Sequence, residues 1–268
     1  MSVFSAVKTG DLECIRRKVK RNEAVSNKVN KKGESLLLCA AKYGQLEACS
    51  LLLESGADAN LASADGDTPL LVATEYGRYD ICELLLSGGA NASAENSYEA
   101  TPLICAAKRG HRGICQLLLK LGLDVNKGTA LGNTALKAAA VHGHARVTEL
   151  LIERGADVND ACGESKYTAL MLAGENGHTD VCEALLSQGA DIEHRDTFGR
   201  SVLRVAKEKG RDETFAFLER EMNNEFRRLK RELEEARAEL DGVKRTKTTK
   251  AAKTINLETA PEMAPASQ

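Results

Sequence analysis

The stretch Gly66-Asp-Thr-Pro-Leu-Leu-Val-Ala-Thr-Glu-Tyr-Gly77 decides the fold, because its Thr68 is one member of a regular series. Equivalent Thr or Ser residues stand at Ser35, Thr68, Thr101, Thr134, Thr168 and Ser201, spaced 33, 33, 33, 34 and 33. A period in this range marks one supersecondary unit stacked end to end, each unit burying its apolar face on the next. The fifth residue after each Thr or Ser is alanine (Ala40, Ala73, Ala106, Ala139, Ala173, Ala206), and the ninth is glycine (Gly44, Gly77, Gly110, Gly143, Gly177, Gly210). A small residue at the fifth place lets helices approach closely, and the glycine ends the first helix. An apolar second helix such as Leu46–Leu53 follows, then Gly56-Ala-Asp58, with the same glycine again at Gly89, Gly122, Gly155 and Gly189. Each unit therefore reads as helix, turn, helix and extended loop, an all-α solenoid with residues 33–211 as its body.

The stretches EATPLICAAKRGHRGICQLLL (residues 99–119) and GNTALKAAAVHGHARVTELLIERGADVN (132–159) carry the match further. On these residues the chain resembles the ankyrin-repeat family, with six repeats that agree with one another as well as with the family pattern. Two departures stand out. The usual histidine after T-P-L is replaced by Leu71, Ile104, Lys137 and Met171, and proline survives only at Pro69 and Pro102. The resemblance implies recognition of a protein partner along the concave side, through hairpin tips and the ends of the first helices. It also implies one of two roles for Asn60, Asn126 and Asn159: hairpin hydrogen bonding, or hydroxylation as in some relatives.

Residues 1–32 align with the series as a degenerate repeat, Gly10 taking the place of the inter-helix glycine. Its second helix, Leu12 to Arg21, exchanges leucines for Arg16, Arg17, Lys18 and Lys20, the polar outer face expected of a solvent-facing cap. Charge is uneven along the chain. Residues 1–33 hold nine Lys/Arg against three Asp/Glu and residues 242–268 five against two; with a total of −2, residues 34–241 carry −11. An acidic solenoid binds nucleic acid poorly, so no specific nucleic-acid partner is expected. No apolar run approaches the roughly 18 residues of a membrane span.

Four of the eight cysteines (Cys49, Cys82, Cys115, Cys182) share one place in the repeat, and Cys39 and Cys105 share another. Equivalent places on helices about 8 to 10 Å apart lie too far apart for a disulfide, so these thiols read as small buried apolar groups. Cys162, in a loop, is expected to be exposed. With no signal segment in evidence, the expected compartment is the cytoplasm, or the nucleus. His111, His144 and His178 likewise share one place, which opposes convergence on a metal. The Gly-x-Ser starts at Ser35, Ser165 and Ser201 all lack the second glycine of a nucleophile elbow. No catalytic residue, cofactor or metal is expected, and the reading is a non-enzymatic adaptor or scaffold.

The binding face is expected at Lys42, Tyr43, Tyr76, Tyr98, Arg109, Leu131, His142, Tyr167 and Phe198. Four of five tyrosines and one phenylalanine fall on it, and Tyr and Arg are enriched at binding hot spots. Alternatives to the adaptor are a regulatory subunit or inhibitor of an enzyme, and a cytoskeletal or nucleic-acid anchor acting through the basic tail.

After the sixth repeat a terminal helix is expected over 212–241. Phe226, Leu229, Leu233, Ala236 and Leu240 keep heptad spacing, with Glu225, Glu232 and Glu239 each five residues before Lys230, Arg237 and Lys244. That pattern suits a parallel homodimer. A single solvated helix, or one folded back on the last repeat, stands beside it as an alternative. Residues 242–268, basic and aperiodic, are expected to be disordered.

Overall fold

Each repeat begins where a hydroxyl side chain caps a helix. Ser35, Thr68, Thr101, Thr134, Thr168 and Ser201 all sit in extended backbone, and each side-chain oxygen accepts a hydrogen bond from the N–H three residues on. This satisfies one of the orphan donors of the first turn. Pro69 and Pro102 occupy the first helical position, where a missing N–H costs nothing.

The first helix ends at the recurrent glycine in left-handed conformation, with φ between 64° and 82° across the six repeats. The N–H of the following residue then reaches back to the carbonyl of the recurrent alanine in all six, from Gln45 to Ala40 through Arg211 to Ala206, at 2.9–3.0 Å. An L side chain at such a φ is strained, and space forbids it as well. A Cβ on Gly77, Gly110 or Gly143 would come within 2.7 Å of the histidine ring of the next repeat.

A computed structural model describes residues 2–21 and 25–258, with side chains through residue 237. Fourteen helices occur among the described residues: α1 Val3–Thr9, α2 Leu12–Arg21, α3 Leu36–Tyr43, α4 Leu46–Glu54, α5 Pro69–Glu75, α6 Tyr79–Ser87, α7 Pro102–Lys108, α8 Arg112–Leu119, α9 Ala135–Val141, α10 Ala145–Glu153, α11 Ala169–Asn176, α12 Thr179–Ser187, α13 Val202–Glu208 and α14 Asp212–Glu258. The odd-numbered helices from α1 to α13 pack in one row and the even-numbered from α2 to α12 in a second. Leucines of both rows are fully buried between them, among them Leu38, Leu52, Leu70, Leu85, Leu118 and Leu151. Arg16, Arg17 and Lys20 of α2 face solvent, as a terminal cap requires.

Two boundaries differ from the sequence expectation. The compact solenoid unit extends to Leu218, because Thr214 and Leu218 on the first two turns of α14 are buried. Thr214 Oγ1 lies 2.7 Å from Thr179 Oγ1. Residues from Glu219 form a separate unit, in which α14 runs on to Glu258 rather than stopping at Asp241. The stretch 242–258, expected to be disordered, is thus helical. Gly242 costs about 1 kcal/mol in a helix interior, and no proline follows before Pro261, so one weak residue among lysines and alanines does not end the helix. Residues 259–268 lie outside the described residues.

Candidate functional site

The hairpins between repeats are built alike and point their tips along one face. In five of the six hairpins the residue five before the Thr or Ser is a short polar one whose oxygen fastens the turn; before Thr168 the place is Gly163. Asn30, Asn96 and Asp196 each accept two backbone N–H bonds across their own tip, and Ser63 and Thr129 each accept one. That closure thrusts one side chain outward from each hairpin: Lys32, Asp65, Tyr98, Leu131, Ser165 and Phe198. Tyr98, Leu131 and Phe198 are 76, 75 and 77% exposed, so three of the six tips present a large apolar group to water.

The residue after each tip adopts positive φ. It is Gly33, Gly66, Gly132 and Gly199 in four hairpins, but Glu99 (φ 58°) and Lys166 (φ 52°) in the other two. The carboxylate of Glu99 accepts the N–H of Ala130 on the next hairpin, which anchors its strained backbone.

The remaining expected residues lie at the ends of the first helices. Lys42 is half-buried at the end of α3, its ammonium 3.0 Å from Glu34 Oε1; hydrogen bonding to Glu34 holds its pKa above the ordinary lysine value. Burial works to raise the Glu34 pKa, and the hydrogen bonds from Asn30 and Lys42 outweigh it, leaving the carboxyl below the usual range. Tyr43 is exposed, with the Lys8 ammonium 5.4 Å from its ring centre. Tyr76 is exposed at the end of α5. Arg109, at the end of α7, pairs with Glu75 at 2.6 Å.

His142 caps α9 and faces solvent. Its pKa is lowered, first by partial burial and then by the positive charge of Lys108, His144, Arg109 and His178. Tyr167 is half-buried, and its hydroxyl accepts a hydrogen bond from Arg200 Nη2 at 2.8 Å. The same guanidinium lies 5.2 Å from the Phe198 ring centre. Phe226, Leu229 and Leu233 are exposed on α14, while the side chain of Leu240 lies outside the described residues.

Between the hairpins and the first helices of repeats two to four lies a hollow of about 480 Å³. Ala100, Ile104, Ala138 and Val141 supply apolar lining, Tyr98 stands on the hairpin side, and Lys108, Arg109 and His142 line the side of the helix ends. A second hollow, of about 330 Å³, adjoins it over Leu131, Tyr167 and Leu172, with Asn133 and Lys137 common to both.

Lys137 is the residue whose part sequence reasoning missed. It stands where the family carries histidine and is only 3% exposed. Its ammonium donates to Gly132 O at 3.1 Å and Cys162 O at 2.9 Å, and lies 3.0 Å from Asp160 Oδ2. Repeat four is thereby tied to the following hairpin. The available signal was the charge itself, a lysine where Leu71, Ile104 and Met171 fill the corresponding place.

Shared places in the repeat have shared structural roles. His111, His144 and His178 each place Nε2 3.0 to 3.3 Å from a backbone carbonyl of the preceding repeat, and Gln45 and Arg211 make the same reach. Burial pushes the thiols of Cys49, Cys82, Cys115 and Cys182 up to about 12, which keeps them protonated. Cys162 is exposed. Among the described residues no three metal-ligating side chains converge, and no helix is long and apolar enough to cross a membrane.

The profile described as ankyrin repeats (3 copies) matches residues 3–96, 88–162 and 160–226. The chain belongs to the ankyrin-repeat family. Its fold is similar to the crystal structure of the human ASB11 ankyrin repeat domain, with a TM-score of 0.73, 26% identity, and coverage of 81% of this chain and 97% of that one. No curated protein matches the sequence. Ankyrin repeats are in general protein-interaction modules, so the row of exposed hairpin tips and helix ends is the candidate interface of this ankyrin solenoid.

Proposed function

We propose that this chain is a non-enzymatic adaptor that holds a segment of a protein partner along its hairpin tips and first-helix ends, and that α14 joins two copies in parallel. One observation carries the first part. Tyr43 and Tyr76 are exposed at the same helix-end place of two successive repeats, and Tyr98, Leu131 and Phe198 at the same hairpin-tip place of three. Large apolar groups on a rigid frame bind with little loss of conformational freedom, and the charged groups around them set register. Replacing Tyr43 and Tyr76 together by alanine leaves the thermal transition within a few degrees while weakening partner binding by about tenfold or more. Melting lowered by many degrees means that these rings belong to the core and the face lies elsewhere.

The second part rests on Phe226, Leu229 and Leu233, exposed at heptad spacing on α14, with glutamates at 225, 232 and 239 placed to meet the basic residues 230, 237 and 244 of a parallel copy. Light scattering on the full chain at tens of micromolar reads a dimer, and on a chain ending at Met222 a folded monomer. A full-length monomer removes the pairing and leaves the adaptor reading intact.

A further inference from the structure

We infer that the hollow between repeats two and four takes an acidic, partly apolar segment of a partner protein, with carboxylates set against Lys108 and His142. The inference rests on the adaptor reading and names the chemistry of what is bound.

Residues 34–241 carry a net charge of −11, and against that background Lys108 stands on the lining of the hollow with no carboxylate paired to it. Around the hollow, Glu75 is engaged by Arg109 at 2.6 Å and Asp67 accepts from Asn96 at 2.9 Å. Lys108 and His142 stand beside them on the same lining. The groups facing His142 are Lys108 and Arg109 from the preceding repeat, His144 from its own turn and His178 from the next. The acid at the following helix end, Glu175, is paired with Lys209 at 2.8 Å. Burial first and then their charge hold the imidazole pKa down, and an arriving carboxylate acts in the opposite direction.

The apolar lining of Ile104 and Val141 asks for a hydrocarbon group beside the acid. The acidic solenoid around the site disfavours a polyanion and leaves room for one or two carboxylates. Backbone strain at Glu99, under the exposed Tyr98, lies in the hairpin that borders the same hollow.

The test pans a displayed library of random 12-residue peptides against the full chain, then titrates the dominant peptide, fluorescently labelled, by anisotropy. Expected are sequences enriched in Asp and Glu with an adjacent large apolar residue. Lys108→Glu lowers their affinity about tenfold, as does Tyr98→Ala, while Arg16→Glu on the exposed face of α2 leaves it unchanged. Affinity rises about threefold between pH 7.5 and 5.5, because bound carboxylate favours protonated His142, and His142→Gln abolishes that rise. Circular dichroism confirms that these exposed-site variants are folded.

Neutral or basic peptides that still depend on Tyr98 overturn the acidic chemistry and spare the groove. Peptides indifferent to both Lys108→Glu and Tyr98→Ala, or no enrichment at all, overturn groove and chemistry together. Tighter, Lys108-dependent binding of a labelled RNA oligomer in the same assay replaces the protein segment with a nucleic acid.

Discussion

The junction between repeats three and four and that between repeats four and five have the same backbone plan and different ties. At the later junction Asn126 donates to Gly155 O at 3.1 Å and accepts from Asp157 N at 2.8 Å, while Lys137 reaches the next hairpin below. Asn27, Asn60 and Asn159 make the same paired bridge at three other junctions. At the earlier junction the place belongs to Ser93, and a hollow of about 210 Å³ lies between Ser93 and residues Gly122 to Asp124. The hairpin link there also differs. Ser97 N donates to Asp65 O at 3.0 Å between repeats two and three, whereas Ala130 N is met by the side chain of Glu99. One shorter side chain removes two bonds, so cohesion in a solenoid is a property of each junction rather than of the array. The Glu99–Ala130 link of this junction lies beside Tyr98 and Thr129 on the lining of the proposed binding hollow.

The largest loss is expected at Lys137. Lys137→Met leaves the Asp160 carboxylate half-buried beside a thioether, and the loss of an ion pair in such a place costs about 3 to 5 kcal/mol. Chemical denaturation reads this as a lower midpoint. Adding Asp160→Asn recovers most of it, because the stranded charge is gone and methionine already serves at the equivalent Met171. A single mutant as stable as the parent shows that Lys137 contributes nothing to the later junction.

Exchanging the ladder residues tests the two junctions against each other. Ser93→Asn adds the missing bridge and stabilises by about 1 kcal/mol, and Asn126→Ala loses about as much. Hydrogen exchange at the amides of residues 122–126 slows in the first variant, and at 155–158 quickens in the second. Equal and unchanged exchange at both junctions dissolves the contrast.

The smallest effect distinguishes the two strained hairpins. Lys166→Gly relieves a left-handed φ at a residue held through its backbone, the N–H by Gly163 O and the carbonyl by His194, so the melting temperature rises by the equivalent of about 0.5 kcal/mol. Glu99→Gly relieves similar strain and removes the anchor on Ala130, and its melting temperature stays level or falls. A rise of equal size in both variants means that the Glu99 carboxylate does not hold the earlier junction.

Much of this molecule is local chemistry repeated, and local chemistry is legible. The period of Thr or Ser, alanine and glycine determined the caps, the left-handed turns and hence the solenoid, since each residue acts within its own turn. The places of Tyr98, Leu131 and Phe198 followed from the same period, because a tip residue projects outward wherever the turn is closed. The end of α14 was misjudged, since a run of lysine, threonine and alanine carries no apolar face for periodicity to detect. Tertiary structure alone decided that Lys137 turns inward to Asp160 and the Cys162 carbonyl, that Asn126 bridges where Ser93 does not, and that Lys108 and His142 line a hollow without a carboxylate engaging them. Those facts depend on distances between residues 23 to 34 apart in sequence, set by how one repeat stacks upon the next.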